Sequence, residues 1–112
     1  MKEQRFLVLT VLARGPRHGY AIMQAVQALN PQAPSLPVAT LYALLDRLVS
    51  DGLVEVDREE IHRGRLRRYY RVTQAGLGAL AAEADRVAAN VRAARSALRS
   101  IGSRPSLSAG PA

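Results

Sequence analysis

The sequence contains no cysteine and no tryptophan among its 112 residues. Without cysteine, the chain has no disulfide scaffold, no thiolate nucleophile and no Cys-ligated zinc site. Its two histidines, His18 and His62, lie far apart in the sequence with no further ligands grouped around them, so we predict no metal site and no cofactor. A small domain without such links depends on its apolar core, and dimerisation would extend that core.

Long apolar runs and catalytic groupings are also absent. No stretch reaches the roughly 18–20 apolar residues that a membrane-spanning helix needs. The basic segment Lys2–Arg5 and the apolar segment Phe6–Ala13 superficially resemble a signal peptide, but the apolar run is short and no small-residue cleavage site follows. No Ser–His–Asp group or catalytic pair of carboxylates stands out. We therefore expect a cytoplasmic protein that is not an enzyme and has no membrane partner.

Positive charge, by contrast, is abundant. The chain has 16 Lys and Arg against 9 Asp and Glu, a formal net charge of +7, and Lys2 is the single lysine. The planar guanidinium of arginine binds phosphates and guanine edges through two parallel hydrogen bonds, which lysine does less well. Such basicity in a small domain points first to nucleic acid, with an anionic membrane or an acidic protein as alternatives.

The stretch Ser35–Val54 predicts an amphipathic helix. Its apolar residues recur at three- and four-residue spacings: Leu41, Leu44, Leu45, Leu48 and Val49. Ser35 is the expected N-cap, Pro37 suits the first turn, and Asp51-Gly52 ends the helix. The opposite face combines short side chains with hydroxyls and an arginine, as a helix that reads a DNA groove requires.

Two further helices are predicted before this stretch. Glu3–Ala13 is apolar on most sides, which suggests that it packs partly against a second chain, through Phe6 and Leu9. The second helix is predicted over His18–Leu29, and its expected inner face is formed by Tyr20, Ile22, Met23, Val26 and Leu29. The turn Asn30–Pro34 follows, so the third helix stands in the reading position of a helix-turn-helix.

A hairpin is predicted next. Apolar and polar residues alternate in Leu53–Arg58 and in Arg67–Thr73, which predicts two strands. The segment between them, Glu59–Leu66, is too long for a two-residue turn, so we expect a projecting, mobile wing. Its distal half is crowded with Arg63, Arg65, Arg67, Arg68 and Arg71. A charge run of this kind is often only a solvated surface, but after a helix-turn-helix it favours phosphate binding.

A single alanine-rich helix is predicted from Gln74 to about Ile101. It carries an unbroken heptad pattern, called the seam below, formed by Leu77, Leu80, Ala84, Val87, Val91, Ala94, Leu98 and Ile101. A helix of this length spans roughly 40 Å, more than a small core can cover. The seam therefore predicts a partner helix, most simply from a second copy, although part of it could pack on the first helix of its own chain. The tail, residues 102–112, is predicted to be disordered.

Candidate DNA-contacting residues come from three segments. They are His18, Gly19 and Tyr20 before and in the second helix; Ser35, Val38, Ala39, Thr40, Tyr42 and Arg47 in or before the reading helix; and His62, Arg63, Gly64, Arg65 and Arg67 in the wing. The hydroxyls of Thr40 and Tyr42 suit phosphates or base edges, and Val38 and Ala39 suit a thymine methyl group. Two of the candidates have structural alternatives, Tyr42 as a half-buried packing residue and His18 as an ordinary helix cap.

Three segments together resemble the PadR family of bacterial transcriptional regulators. They are GPRHGYAI at Gly15–Ile22, VATLYALLDRLVSDGLV at Val38–Val54 and RRYYRVTQAG at Arg67–Gly76. The resemblance covers about residues 6–80 and is to compact members that dimerise through one long helix. It implies an α+β, mostly α fold, a winged helix-turn-helix over residues 1–73 followed by a dimerisation helix over residues 74–101.

The resemblance also implies a function. Members are usually homodimeric repressors that bind a palindromic operator in double-stranded DNA. Tyr42 follows the Thr-Leu pair of the family, while Gly19 and Tyr20 match its HGY segment and Gly64 and Arg65 fall in its wing. The expected interface residues are Phe6, Leu9, Leu77, Leu80, Ala84, Val87, Val91, Ala94 and Leu98.

Two points stay open. Many members have glycine and proline where this chain has Ala39 and Ala43, so the base preference is not implied. Members often release DNA when a small molecule binds near the dimer interface; such release by an unknown small-molecule effector stays open here, because the expected interface helix lacks the aromatic residues of a stacking pocket. The alternative function, from a different class, is a protein-interaction module whose basic wing docks on an acidic partner.

Overall fold

The computed structural model describes residues 1–102. In chain order its elements are α1 (Glu3–Ala13), β1 (Arg17–His18), α2 (Gly19–Leu29), α3 (Val38–Ser50), β2 (Val54–His62), β3 (Arg65–Val72) and α4 (Gln74–Gly102). The chain divides into one compact unit over Met1–Ala81 and a second that begins at Ala82. No helix in the described part is long and apolar enough to cross a membrane.

The predicted helices agree closely with the observed ones. α1 has the predicted bounds, and α4 begins at the predicted residue and continues to Gly102, the first residue of the predicted tail. The rest of that tail, residues 103–112, lies outside the described residues.

The core of the first unit forms around the apolar face of α3. Leu41, Leu45 and Leu48 are buried, Leu44 is partly buried, and Val49 lies at the exposed edge. The buried residues contributed by the other segments of this core are Val8, Leu9, Leu12, Ile22, Leu36, Val54 and Tyr70. The predicted face of α3 is thus confirmed, apart from its edge residue.

Two predicted faces differ from the structure. Leu9 is fully buried in the core of its own chain, so contrary to the prediction its side chain is not available to a second chain, whereas Phe6 remains partly exposed. In α2, Tyr20 and Leu29 are 59% and 39% exposed. Their placement on the inner face was wrong, because the buried stripe of this short helix runs through Gly19 and Ile22.

The start of α3 also differs from the prediction. Pro37, not Ser35, occupies the N-cap position, and no side chain caps the helix. The preceding turn is held by the Gln27 side-chain amide, which donates to the carbonyl oxygens of Pro31 and Ala33 at 3.3 and 3.2 Å. At the other end Gly52, with φ +76°, follows the C-cap as predicted.

α2 begins with a histidine cap. The Nδ1 atom of His18 accepts a hydrogen bond from the backbone N–H of Ala21 at 3.3 Å, which confirms the capping alternative for this residue. Burial, followed by the charge interactions with Arg67 and His62, lowers the pKa of His18 below its ordinary value of 6.5. The ring is therefore neutral at neutral pH, and its Nδ1 keeps the lone pair that the cap needs.

The three strands form an antiparallel sheet in the order β1-β3-β2. β1 was not predicted and pairs only two residues with β3. β2 and β3 pair from Val54–Val72 to His62–Arg65, with an irregularity between Val56 and Arg58. We call residues 54–72 the wing.

The predicted long loop at the end of the wing is wrong. The strands continue through the residues assigned to it and meet at the two-residue turn Arg63-Gly64, with φ +51° and +80°. Two positive φ angles match the twist of a tight hairpin, and Gly64 adopts this conformation without strain. The alternation of apolar and polar residues within Glu59–Leu66 was too weak to predict that the pairing of β2 with β3 continues through this segment.

The start of α4 is anchored to the turn after α3. The hydroxyl of Thr73 donates to the Gly52 carbonyl at 2.7 Å and accepts from the Gly76 N–H at 3.0 Å. A Cβ at Gly76 would collide with the Leu53 carbonyl oxygen and lie 2.6 Å from a Val72 methyl carbon. This close approach explains why a helix otherwise rich in alanine has glycine here.

The second unit consists of the rest of α4 within the described residues. Near its start, Arg86 donates to Glu83 at 2.9 Å and lowers the pKa of this carboxyl to about 2. The seam residues Val91, Leu98 and Ile101 are exposed in the single chain.

Replacing the two glycines of the first turns of α4 should have opposite effects. Gly76→Ala should lower the free energy of unfolding by about 1–3 kcal/mol, because the added methyl group meets backbone atoms that cannot move aside. Gly78→Ala is the matched control, since nothing lies within 4 Å of its Cβ position; it should stabilise the helix by up to about 1 kcal/mol. Urea unfolding measures both, and equal shifts of the same sign would contradict the contact at Gly76.

The cap of α2 should make stability pH-dependent. Because the pKa of His18 is lower in the folded chain, the unfolded chain binds the proton more tightly, and stability falls as the pH drops below about 6.5. His18→Asn keeps a capping acceptor without titrating. The wild type should therefore lose more unfolding free energy than His18→Asn between about pH 7.5 and 5.5. Parallel losses in the two proteins would show that His18 does not carry this dependence.

Candidate nucleic-acid interface

The N-terminal turns of α3 present the predicted reading residues to solvent. Val38, Ala39, Thr40 and Tyr42 are all exposed. Because Leu41 and its neighbours along the apolar face are buried, the residues between them point away from the core. These side chains are short or carry a hydroxyl group, so this surface can approach a groove closely.

Tyr42 packs against the N-terminus of α2. A Cβ at Gly19 would lie 2.8 Å from Cζ of Tyr42, so the contact depends on glycine. Tyr42 remains 44% exposed, and it therefore combines the packing role with an accessible edge. A cleft of about 90 Å³ at this contact is lined by Gly19, Tyr20, Met23, Val38, Leu41 and Tyr42. The structure thus brings candidates from α2 and α3 together.

Ser35 lies on the same side of the molecule. It lines an open cleft of about 650 Å³ that also contains Tyr20 and Val38. Although Ser35 does not cap α3, the structure places it beside two other candidate residues.

Thr40 and Arg47 line a different surface, toward the start of α1. Their open cleft, about 420 Å³ in volume, is shared with Lys2, Gln4, Arg5, Ala43 and Leu44. Arg5 is paired with Asp51, its guanidinium nitrogen 3.0 Å from the carboxylate. Lys2 and Arg47 therefore add positive charge beside Thr40. Lys2 was missed by sequence reasoning, because no local pattern links it to a helix so much later in the chain.

Ion pairs divide the arginines of the wing into two groups. All carboxylates of β2 are paired, at nitrogen–oxygen distances of 2.6–3.3 Å: Glu55 with Arg71, Asp57 with Arg58 and Arg71, Glu59 with Arg68, and Glu60 with Arg58. Within the described part of the chain, Arg63, Arg65 and Arg67 make no ion pair. The unneutralised positive charge of the wing therefore lies in its distal half.

Ring contacts connect the wing to the start of α2. The rings of His18 and Tyr69 meet edge to face, with centroids 5.3 Å apart, and the Arg58 guanidinium lies 3.9 Å from the Tyr69 ring centroid. Arg67 and His62 are near enough to lower the pKa of His18. The structure thus brings the candidate residues His18, His62 and Arg67 close together, where the sheet meets the start of α2.

The remaining candidates form the wing tip. Arg63 and Gly64 are the turn residues, and Arg65 begins β3, all exposed and at the opposite end of the strands from Val54. The described residues hold no group of three or more His, Cys, Asp or Glu side chains that could bind a metal ion.

Sequence comparison relates the chain to known regulators. Residues 8–82 match the transcriptional regulator PadR-like family. An uncharacterised protein from Lysinibacillus sphaericus is 30% identical over 70 residues, which make up 62% of this chain and 64% of that protein. The chain thus matches slightly less than two thirds of that relative's length.

Solved structures show the same fold. A PadR family transcription regulator from hypervirulent Clostridium difficile superposes with a TM-score of 0.71 at 22% identity, over 84% of this chain and 96% of that one. PadR from Bacillus subtilis, solved in complex with operator DNA, superposes with a TM-score of 0.63 at 23% identity, over 71% of this chain and 45% of that one.

These similarities confirm the predicted fold class, a mostly helical winged helix-turn-helix with a small antiparallel sheet and a long C-terminal helix. The matched family consists of transcriptional regulators and not of enzymes. Because the family match covers more than half of the sequence, including the reading helix and the wing, this chain belongs to the PadR-like family of transcriptional regulators.

Proposed function

We propose that the chain is a homodimeric repressor that binds a palindromic DNA operator in the cytoplasm. Family membership supports a DNA-binding regulator, and PadR from Bacillus subtilis, which has the same fold, binds operator DNA. The observation that carries the proposal is the positive charge of Arg63, Arg65 and Arg67 on the wing, which no carboxylate among the described residues pairs, beside a reading helix whose N-terminal turns are exposed on one face.

In this proposal α3 enters the major groove with its N-terminal turns. Thr40 and Tyr42 supply hydroxyl groups for base edges or phosphates, while Val38 and Ala39 contact thymine methyl groups. Ala39 is short enough to let the helix approach closely. These contacts choose the sequence, because base edges in the major groove differ between all four base pairs.

The distal wing and the flank of α3 supply affinity. Arg63, Arg65 and Arg67 bind phosphates and release counterions, which contributes equally on every sequence and weakens with salt. Lys2 and Arg47 add phosphate contacts beside Thr40. The paired Arg58, Arg68 and Arg71 contribute less, since their charge is offset by neighbouring carboxylates.

The dimer is proposed to form through α4, over residues 74–101, with a contribution from Phe6. Val91 and Leu98 are exposed apolar residues at heptad spacing, as an interhelical contact requires. Leu80 differs from them because it packs partly on the core of its own chain. The first compact unit consequently extends to Ala81, beyond the boundary at residue 73 that the sequence suggests for the DNA-binding part.

Two copies related by a two-fold axis place their reading helices in successive major grooves, about 34–36 Å apart. An operator read in this way is a palindrome. Repression follows if the bound dimer blocks the promoter. We propose no effector, since no aromatic residue occurs in α4.

The competing function is a docking module that binds an acidic protein through the wing. Family membership favours the regulator. A gel shift on the DNA upstream of the chain's own gene separates the two, because a regulator should show binding that is selective for sequence and sensitive to salt. Absence of such binding would support docking.

Alanine substitutions should separate affinity from sequence choice. Arg65→Ala should weaken binding to all duplexes and lower the salt slope by about one unit for each wing, because one phosphate contact is lost. Thr40→Ala should mainly change which operator variants are preferred. Fluorescence anisotropy across a salt series measures both effects.

Arg65→Lys is the control for charge, and it should retain most of the salt slope. A change in operator preference with an unchanged salt slope in Arg65→Ala would contradict the role proposed for the wing.

A charge in the seam should separate the dimer. Val91→Asp places a carboxylate between the two α4 helices and should give monomers in analytical ultracentrifugation. Ala89→Asp makes the same change on the opposite side of the helix, at another exposed position, and should leave the dimer intact. An unchanged dimer in Val91→Asp would place the interface elsewhere.

A further inference from the structure

The wing ends in an exposed apolar pair. Ile61 and Leu66 stand directly opposite each other on β2 and β3, next to the turn. They are 79% and 60% exposed, and Ile61 is the most exposed large apolar residue of the described chain. Neither belongs to the hydrophobic core or packs against it. Apolar side chains so far from the core contribute little to folding, and their exposure is typical of a surface that contacts another molecule.

The position of the pair within the sheet gives its orientation. Strand alternation and register place Ile61 and Leu66 on the same face of the wing as Tyr70. The Tyr70 side chain is buried in the core together with Leu41 and Leu45 of α3. The apolar pair therefore lies on the face of the wing that is turned toward the reading helix.

The surroundings of the pair are strongly positive. Arg63 forms the turn next to it, and Arg65 and Arg67, the chain neighbours of Leu66, point to the opposite face of β3; all three lack ion pairs among the described residues. Arg68, whose carboxylate partner is Glu59, follows on the same face. The tip of the wing is therefore apolar on one face and basic at its turn and on the other face, which complements a narrow surface that is apolar inside and bordered by negative charge.

The minor groove of DNA has this character. Its floor and walls are sugars and base edges, and its two borders are lines of phosphates. Apolar side chains of proteins enter minor grooves and partly unstack base steps there. A tight two-residue turn gives the wing a slender end, which the predicted long loop would not have provided.

We propose that Ile61 and Leu66 enter the minor groove beside the major groove read by α3, while the arginines at the turn and on the opposite face of the tip bind the phosphates that border it. The proposal rests on the DNA-binding function and assigns a sequence preference to the wing. Guanine places an amino group in the minor groove, which would obstruct the apolar pair, so the flanking positions should favour A·T pairs.

The test combines protein variants with altered DNA flanks. The probe is a duplex of about 30 bp, selected by the wild type from a random pool and long enough for two half-sites and their flanks. Its flanks are then built from A·T, G·C or inosine·cytosine pairs. Inosine·cytosine keeps the major-groove edge of G·C but lacks the minor-groove amino group. The variants are Ile61→Thr/Leu66→Thr, which retains strand-forming residues, and Val56→Thr, a partly exposed apolar position nearer the core on the same face.

The wild type should bind the A·T and inosine·cytosine flanks alike and the G·C flank about tenfold more weakly. The double variant should bind the A·T probe about tenfold more weakly than the wild type, with an unchanged salt slope, and should no longer distinguish the flanks. Val56→Thr should behave like the wild type. Circular dichroism checks that each variant is folded.

Several outcomes would overturn the proposal while leaving the DNA-binding function intact. The first is that the double variant binds the A·T probe as tightly as the wild type does. The second is that the double variant still prefers A·T flanks. The third is that the wild type binds the G·C and inosine·cytosine flanks equally well. Loss of binding to phosphatidylglycerol vesicles by the double variant, with unchanged DNA binding, would instead assign the pair to an anionic lipid surface. If the wild type selects no duplex at all, the DNA-binding function itself fails.

Discussion

Burial of one face of α3 is the constraint on which the rest of this structure depends. Leu41, Leu45 and Leu48 fill the centre of the core, and the two preceding helices and the sheet close around them. Their burial leaves α3 one orientation, with Thr40 and Tyr42 directed outward. The same contact therefore stabilises the fold and presents the surface with which we propose that the protein reads DNA.

Charge pairing in the wing organises the electrostatics of the proposed interface. The carboxylates of β2 neutralise arginines that cross-strand geometry brings within reach, as Glu55 does for Arg71. Exposed pairs of this kind add little stability. Among the described residues, their larger effect is to concentrate the unpaired positive charge of the wing on Arg63, Arg65 and Arg67, at the turn and on the face opposite the apolar pair. In the proposed complex, affinity would then depend mainly on the distal wing, and sequence choice on α3 together with the apolar pair of the wing.

Much of the fold could be predicted because it follows from local patterns. Helical periodicity gave the face of α3, and the heptad repeat gave the length of α4. The errors occurred where tertiary contacts decide. Leu9 was expected at an interface because a helix apolar on most sides suggests a second chain, yet its own core buries it. The hairpin was predicted too short, because cross-strand pairing extends β2 through charged residues that do not alternate clearly.

By itself, the sequence determined the order of the elements, the class of the fold and the excess of positive charge, since periodicity, turn residues and composition are local properties of the chain. Only the tertiary structure decided which charges remain unpaired, why Gly19 lies against Tyr42 and why His18 caps α2 beside Arg67. It also placed Lys2 beside Thr40 and turned Ile61 and Leu66 toward the side of α3. These relations join residues distant in sequence, so they depend on strand register and on helix packing, which no local pattern encodes.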